Sequence, residues 1–451
     1  MKVNKSYISY RTEIKLTEEQ KKILLKNKHA QHWVWNLYIA TNQEGYKNNQ
    51  EYRNNYEFSK WFNNEFLKTE EGEKYKWIKD KEVSSANIRN TMRLCDQAFQ
   101  KFFKTKKGFP RFKKFIDFEE GYYFTRVQKK QLVKCFRHKI KVPLIGWVVL
   151  KEKGYIPYKG NKIMSGTITN IADRYFISVL VEEELTKFKR SLKDKGIGID
   201  LGIKDLMVCS SGEVFPNINK SIRVKKLEKS LRRQQRSLSR KQEFQRKEKR
   251  SLRSKNYMKN QLIVQRLNYK LTSIRKAYIN KCVDYLIEKK PKFIVVEDLN
   301  IQGMLKNKHL SKAIKDMLFY YTKQILIQKC NKHGIEVREV NRFFPSSKTC
   351  AKCGNVKKQL KLSERTYKCE KCGLNLDRDL NASINLKNAI NYKILTTGGL
   401  LESNACGVLN QTVVPFREVE HREARRSQII KEKRINKKRN LLYYKWTPVY
   451  V

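Results

Sequence analysis

The sequence is short of acidic residues, and that shortage is its largest signal. Its 451 residues carry 44 Asp and Glu against 99 Lys and Arg, a formal net charge of +55. A folded chain this one-sided repels itself, and the excess goes far beyond what solubility needs. A polyanionic partner is therefore implied, and nucleic acid is the commonest. A codon bias toward Lys, Asn and Ile would inflate lysine but would not create the arginine clusters. Long apolar runs are also missing. No stretch of 18 apolar residues occurs, so no membrane span is expected. The start, Met1-Lys2-Val3-Asn4-Lys5, has no apolar signal core, and a cytoplasmic, prokaryotic protein acting at the nucleoid is expected. The six His are scattered, which argues against His-centred catalysis. There is no internal repeat and no Gly/Ser linker. Six of the ten cysteines stand alone, at 95, 135, 209, 282, 330 and 406, which excludes a disulfide framework and fits a reducing compartment.

What is present is mostly globular: 40% hydrophobic and 11% aromatic, with length for two to four domains. Residues 6–15 read as a strand. Thr17-Glu18-Glu19-Gln20 is a capping box opening helices that run to about 48. The segment 44–80 looks polar and partly helical. Residues 84–104 form a better helix, with Ile88, Met92, Cys95, Phe99 and Phe103 at three- and four-residue steps. From 118 to 186 the period changes to two, in several short strands of a small barrel or sandwich. Residues 220–260 hold seventeen Lys and Arg against three Glu, with a stripe of Val224, Leu227, Leu231 and Leu238. This predicts a long basic helix or helical hairpin with Arg232, Arg233, Arg236, Arg240 and Lys241 as phosphate contacts. Helices are expected over 262–288 and 310–332, a buried parallel strand at 293–299 and another strand at 334–340. Residues 417–440 resemble a solvated helix or a disordered segment.

Two constellations carry chemistry. Cys350-x2-Cys353 and Cys369-x2-Cys372 have zinc-ribbon spacing, each pair followed by a glycine, Gly354 and Gly373. Four thiolates close a tetrahedron around one structural zinc, with iron as the other metal such a set accepts. The second is a set of carboxylates in apolar surroundings. Asp200 ends Ile197-Gly198-Ile199, Glu297 ends Phe293-Ile294-Val295-Val296, and Asp379 opens a helix expected from about 378. An ionised carboxylate in an apolar strand is costly without a compensating charge. Strand ends and one helix of a mixed sheet can gather three carboxylates around two Mg2+ ions, which prefer hard oxygen ligands. Asp205, Asp298 and Asp377 are the neighbouring alternatives, with Asp298 read as a turn or capping residue. The Gly198–Gly202 stretch also resembles the phosphate strand of actin-like ATPases and sugar kinases, but their later Asp-x-Gly-Gly-type turn is absent.

Together these segments resemble the TnpB family, insertion-sequence-encoded RNA-guided nucleases related to compact type V CRISPR effectors. Gly198-Ile199-Asp200-Leu201-Gly202, Val295-Val296-Glu297-Asp298-Leu299 and Asp377-Arg378-Asp379-Leu380-Asn381-Ala382 look like the three RuvC motifs. Pro345-Ser346-Ser347-Lys348-Thr349-Cys350 looks like the start of the family's ribbon. Arg236–Lys241 and Phe109-Pro110-Arg111-Phe112-Lys113 match in character. The resemblance implies a multidomain α+β chain. Its parts would be the first wedge strand (1–15), a helical recognition lobe (16–110), a β-barrel wedge (111–190) and an RNase H-like (RuvC) α/β nuclease domain (191–344). A zinc-ribbon target-nucleic-acid-binding insert (345–373), the third motif (374–392) and a tail (393–451) would follow. It implies a Mg2+-binding catalytic triad of Asp200, Glu297 and Asp379, favouring Asp379 over Asp377. It also implies a guide RNA, a double-stranded DNA target beside a short flanking motif, and one site cutting both strands. Ser85 and Arg89, on the polar face of helix 84–104, are the candidate duplex contacts, and Arg111 and Lys113 are further candidate nucleic-acid contacts. A monomer is expected. The alternatives are a CRISPR effector, a guide-dependent regulator and a strand-joining recombinase.

Overall fold

Strand β1 (Lys5–Lys15) stops at the capping box that begins helix α1 (Glu18–Lys47). Thr17 N–H donates to the Gln20 side-chain oxygen (3.0 Å), and Gln20 N–H donates to the Thr17 hydroxyl (3.3 Å). Each satisfies a backbone donor that a helix start leaves unpaired. The computed structural model describes residues 5–396, apart from 49–50, 107, 116–120, 129–130, 159–161, 185–194, 249–253 and 362. The segment read as a solvated helix or disordered, 417–440, lies outside the described residues. Packing divides the described residues into two compact units, one from 29–80 and 88–115, the other from 5–28, 81–87 and 121–396.

The first unit is helical, with most of α1, then α2 (Asn55–Asn64), α3 (Glu70–Glu73) and most of α4 (Ser85–Thr105). The reading of 44–80 as polar is corrected. Phe58, Phe62 and Phe66 are buried. With Trp33 and Tyr75, Phe62 and Phe66 form a ring cluster with centroids 4.2–6.4 Å apart. Their four-residue spacing is helical, but Asn, Lys and Glu between them hide it. Residues 111–115 pack here rather than with the strands. Lys113 N–H donates to Asn36 Oδ1 (2.9 Å), Asn36 Nδ2 donates to Lys113 O (3.0 Å), and Lys113 Nζ sits 3.5 Å from the Trp35 ring centroid.

The second unit holds two main sheets. The first uses β1 with β2 (Tyr122–Thr125), β5 (Lys134–Cys135), β6 (Lys139–Val142), β7 (Gly146–Leu150), β8 (Lys162–Ile171) and β9 (Arg174–Glu184). A two-stranded ribbon of β3 (Val127–Gln128) and β4 (Gln131–Leu132) lies beside it in the chain. All neighbours are antiparallel, in the order β2-β8-β9-β1-β7-β6-β5. One face buries Phe124, Ile140, Val148, Ile177 and Val179, and Ile23 and Leu24 of α1 pack against that core. Gln20 Nε2 donates to Trp147 O (2.9 Å), which is why the first turns of α1 belong with these strands.

The other sheet is mixed. Its strands are β10 (Ile197–Asp200), β11 (Asp205–Cys209), β12 (Val214–Pro216), β13 (Phe293–Glu297), β14 (Glu336–Val340) and, further along, β17 (Lys393–Leu395), in the order β12-β11-β10-β13-β14-β17. Strands β10, β13 and β14 are parallel. Between β12 and β13 come α5 (Ile222–Lys247) and α6 (Lys255–Glu288). Asn260 Nδ2 donates to Gln234 O and Arg275 bridges to Glu228, so the basic segment is one helix that pairs with α6, which starts seven residues earlier than the expected 262. The helix expected over 310–332 is two. After α7 (Ile301–Leu305), α8 (Ser311–Met317) and α9 (Phe319–Lys332) are separated by Leu318, whose φ of +54° is left-handed and breaks the helical path. Helices α6 and α9 cover one face of the sheet through Ile279, Cys282, Val283, Leu326 and Cys330 against Ile197, Ile199, Ile294 and Val296. Cys209, Cys282 and Cys330 are thus core residues. The ribbon hairpin β15 (Thr366–Lys368) and β16 (Asn375–Asp377) leads directly into α10 (Arg378–Lys387). Strand β17 corrects the reading of residues from 393 as tail: they extend the sheet antiparallel to β14.

Candidate active site and metal centre

Side-chain alternation decides which face of the mixed sheet carries the acids. Ile197 and Ile199 point into the α6–α9 core. Gly198 and Asp200 therefore face the other way. The parallel register pairs Gly198 with Val295 and Ile199 with Val296. One step further puts Asp200 beside Glu297, at the C-terminal ends of adjacent parallel strands, where open α/β sheets place their ligands. Helix α10 covers this face, with Leu386 packed against Val295 and Val340.

Gly198 makes the approach of α10 possible. A Cβ there would lie 2.0 Å from Ser383 O and 2.5 Å from Lys387 N. No side chain fits, so the helix crosses the strand nearly backbone to backbone. Its N-terminal turn, carrying Asp379, comes within electrostatic reach of Asp200. Burial pushes the Asp200 carboxyl up to about 7, Asp379 and Glu297 add to it, and Arg378 opposes. Burial likewise raises Glu297 to about 7, with Asp298 adding to it. Acids held near neutrality by burial and one another's charge are what a divalent cation would relieve.

The alternatives separate by their partners. Asp377 caps α10, its Oδ1 accepting from the N–H of Asp379 (2.9 Å) and Leu380 (3.1 Å). Asp298 is an ion-pair partner of Arg342 rather than a cap, with Nε donating to its Oδ2 at 3.0 Å. Asp205 sits 3.9 Å from Lys204 Nζ.

The four ribbon cysteines bring their sulfurs within 4.8 Å of one another, the one such ligand group among the described residues. The Cys350–Cys372 and Cys353–Cys369 sulfurs are 3.6 Å apart. Thiolates about 2.3 Å from a tetrahedral zinc would have nearly this spacing. Gly354 N–H donates to Cys350 O and Gly373 N–H to Cys369 O, and both glycines have positive φ, +72° and +69°. The Cys372 N–H draws the Cys369 thiol down to about 6.

Two asparagines tie these centres together, Asn381, which the sequence showed only as part of the third motif, and Asn385, which it did not single out. Asn381, fully buried on α10, donates from Nδ2 to Thr349 O (2.7 Å) and accepts from Ala351 N–H (3.0 Å). One turn on, Asn385 Nδ2 donates to Ser346 O and Thr349 O, both at 2.7 Å. The helix that carries Asp379 is thereby bonded to the backbone on both sides of Cys350.

The expected nucleic-acid residues are dispersed. Arg232, Arg233, Arg236 and Arg240 are exposed on α5, and Lys241 reaches Asn256 O (3.3 Å). Ser85 and Arg89 are exposed on α4, and Arg111 is exposed in the following loop. Sequence reasoning missed a cleft of about 800 Å³ lined by Arg174, Arg223, Arg266, Tyr269 and Lys270. Its residues come from a strand end and two helices, so no local motif marks it.

Family models match three segments: "Helix-turn-helix domain" over 1–51, "Probable transposase" over 176–308 and "Cas12f1-like, TNB domain" over 319–386. The first covers a strand and one continuous helix here. Among curated proteins, a "Putative RNA-guided DNA endonuclease" of Streptomyces pristinaespiralis is 30% identical over 334 residues, 72% of this chain and 74% of its own. "Putative RNA-guided DNA endonuclease InsQ" of Escherichia coli (strain K12) is 25% identical over 391 residues, 82% and 89% of the two chains. A solved Cas12f1–sgRNA–target DNA complex matches with a TM-score of 0.48 at 13% identity, covering 86% of this chain and 99% of that one. The chain belongs to the TnpB family.

Proposed function

We infer that the protein is an RNA-guided DNA endonuclease, with Asp200, Glu297 and Asp379 as its single catalytic centre. The observation that carries this reading is the convergence of three acids from distant segments, two on adjacent parallel strand ends and one on a helix that Gly198 admits. On this reading the mixed sheet with α5, α6, α9 and α10 is an RNase H-like (RuvC) domain, the seven-stranded sheet a wedge barrel and the helical unit a recognition lobe.

The three carboxylates would hold two Mg2+ ions, whose chemistry is to generate a hydroxide nucleophile and stabilise the departing oxygen. Asp200 and Glu297, whose protons are held near neutrality, would hold the ions in their deprotonated form. Asp377 orients the first turn of α10, and so Asp379, without ligating. The four thiolates hold a structural zinc that shapes the ribbon. Guide–target pairing supplies sequence specificity, the protein recognises the heteroduplex by shape and backbone, and a short flanking motif is read from the duplex. The exposed arginines of α5 and the basic cleft at Tyr269 supply phosphate contacts.

Asp200→Ala should abolish cleavage of a guide-matched DNA duplex in Mg2+ while leaving guide and target binding within a fewfold. Cleavage at the wild-type rate would remove Asp200 from the centre. Sequencing the RNA that copurifies from the native host identifies the guide. A species flanking or overlapping the protein's own gene is expected, and processed repeat–spacer RNA would mark a CRISPR effector instead.

A further inference from the structure

The outer face of β5, β6 and β7 carries a cluster that the nuclease reading leaves unused. Alternation buries Ile140, Val142, Val148 and Leu150 on the inner face. On the outer face Trp147 is 40% exposed, and Phe136, at the turn between β5 and β6, is 48% exposed. The two rings stack, with centroids 5.3 Å apart and planes 27° from parallel. Lys139 Nζ lies 4.9 Å from the Trp147 ring centroid. Cross-strand pairing sets Lys141 opposite Trp147 and Lys134 opposite Lys141. Strands β5, β6 and β7 contain no Asp or Glu.

We propose that this face is a stacking platform for the unpaired bases of a single-stranded nucleic acid. What sets these rings apart from other exposed ones is that they stack on each other amid lysines with no acid on their strands, a combination that favours a polyanionic cover. A single strand presents both complements at once: free π-faces for Trp147 and Phe136, and phosphates for Lys134, Lys139 and Lys141. A duplex presents phosphates only, because its bases already stack on each other. The proposal rests on the chain being a nucleic-acid enzyme. It concerns no metal ligand, so its failure and that of the nuclease reading are distinguishable.

The test is photocross-linking of the full chain to a single-stranded oligonucleotide carrying 5-iodouracil, as RNA and as DNA, followed by tryptic mapping. Cross-links are expected on peptides 135–137 and 142–151. They should fall at least tenfold in the Phe136→Ala/Trp147→Ala double variant and persist in Phe136→Tyr and Trp147→Phe, which keep a ring. Cross-linking by RNA alone, or by DNA alone, supports the platform and names its occupant. Absence from both peptides while the probe cross-links elsewhere would overturn the proposal. So would equal cross-linking by the same sequence in a blunt duplex. Melting curves of the variants separate lost stacking from lost folding, and an intact melt with unchanged cross-linking in the double variant also overturns it.

Discussion

At the scale of single residues, the candidate centre is a set of acids held against their own chemistry. Burial raises Asp200 from 3.8, and Glu297 from 4.5, to about 7. A carboxyl whose folded pKa is raised contributes stability that is fully present below the unfolded value, near 4, and lost as pH climbs to about 7. The metal-free wild type should therefore be less stable than Asp200→Asn at pH 8, and the gap should close as pH falls from 7 toward 4. Thermal melts in EDTA measure it, and Mg2+ should stabilise only the wild type. Asp377→Ala tests the other acid of the third motif. Loss of the cap should cost about 1 kcal/mol of stability while measurable cleavage survives. Asp200 and Glu297 were legible in the sequence because an acid ending an apolar strand is conspicuous. Composition and spacing left Asp377 and Asp379 open, since the distinction lies in which one's oxygen meets the helix's free N–H groups. Asn381 was visible only as a member of the third motif and Asn385 not at all, because an asparagine's partner is set by tertiary structure alone.

At the scale of elements, the crossing of α10 over β10 is the contact that assembles the three acids. Gly198→Ala inserts a methyl group where Ser383 O and Lys387 N already stand. The helix must shift, costing about 1–3 kcal/mol and at least tenfold in cleavage rate. A melting curve and a single-turnover assay check both, and a wild-type rate would mean that the crossing tolerates displacement. Strands β10, β13 and β14 and the basic helix of 220–260 were readable from periodicity, because burial on both faces or on one stripe imposes it, whereas β12 and β17, three residues each, are too short to show a period. The break at Leu318 was not readable. Its left-handed φ falls on a residue type that gives no warning, where a glycine would have. The aromatic cluster around Phe62 and Phe66 was masked by the polar composition of the turns between its members.

At the scale of the molecule, the candidate thiolate centre and the candidate carboxylate centre share one helix. Cys350→Ser should release zinc, visible by elemental analysis, and unfold residues 345–373 locally. Unchanged zinc content would count against the closed site. Cleavage should fall with it even though no carboxylate is touched, because Asn381 and Asn385 then lose the carbonyls that anchor α10. The order of the chain gives this a temporal meaning. Asp200 and Glu297 leave the ribosome first, and Asp379 emerges only after the whole ribbon, on a helix whose seat the ribbon supplies. Competence to cut would thus wait on the ribbon, and chains made without zinc would carry all three candidate acids but lack the seat that α10 needs.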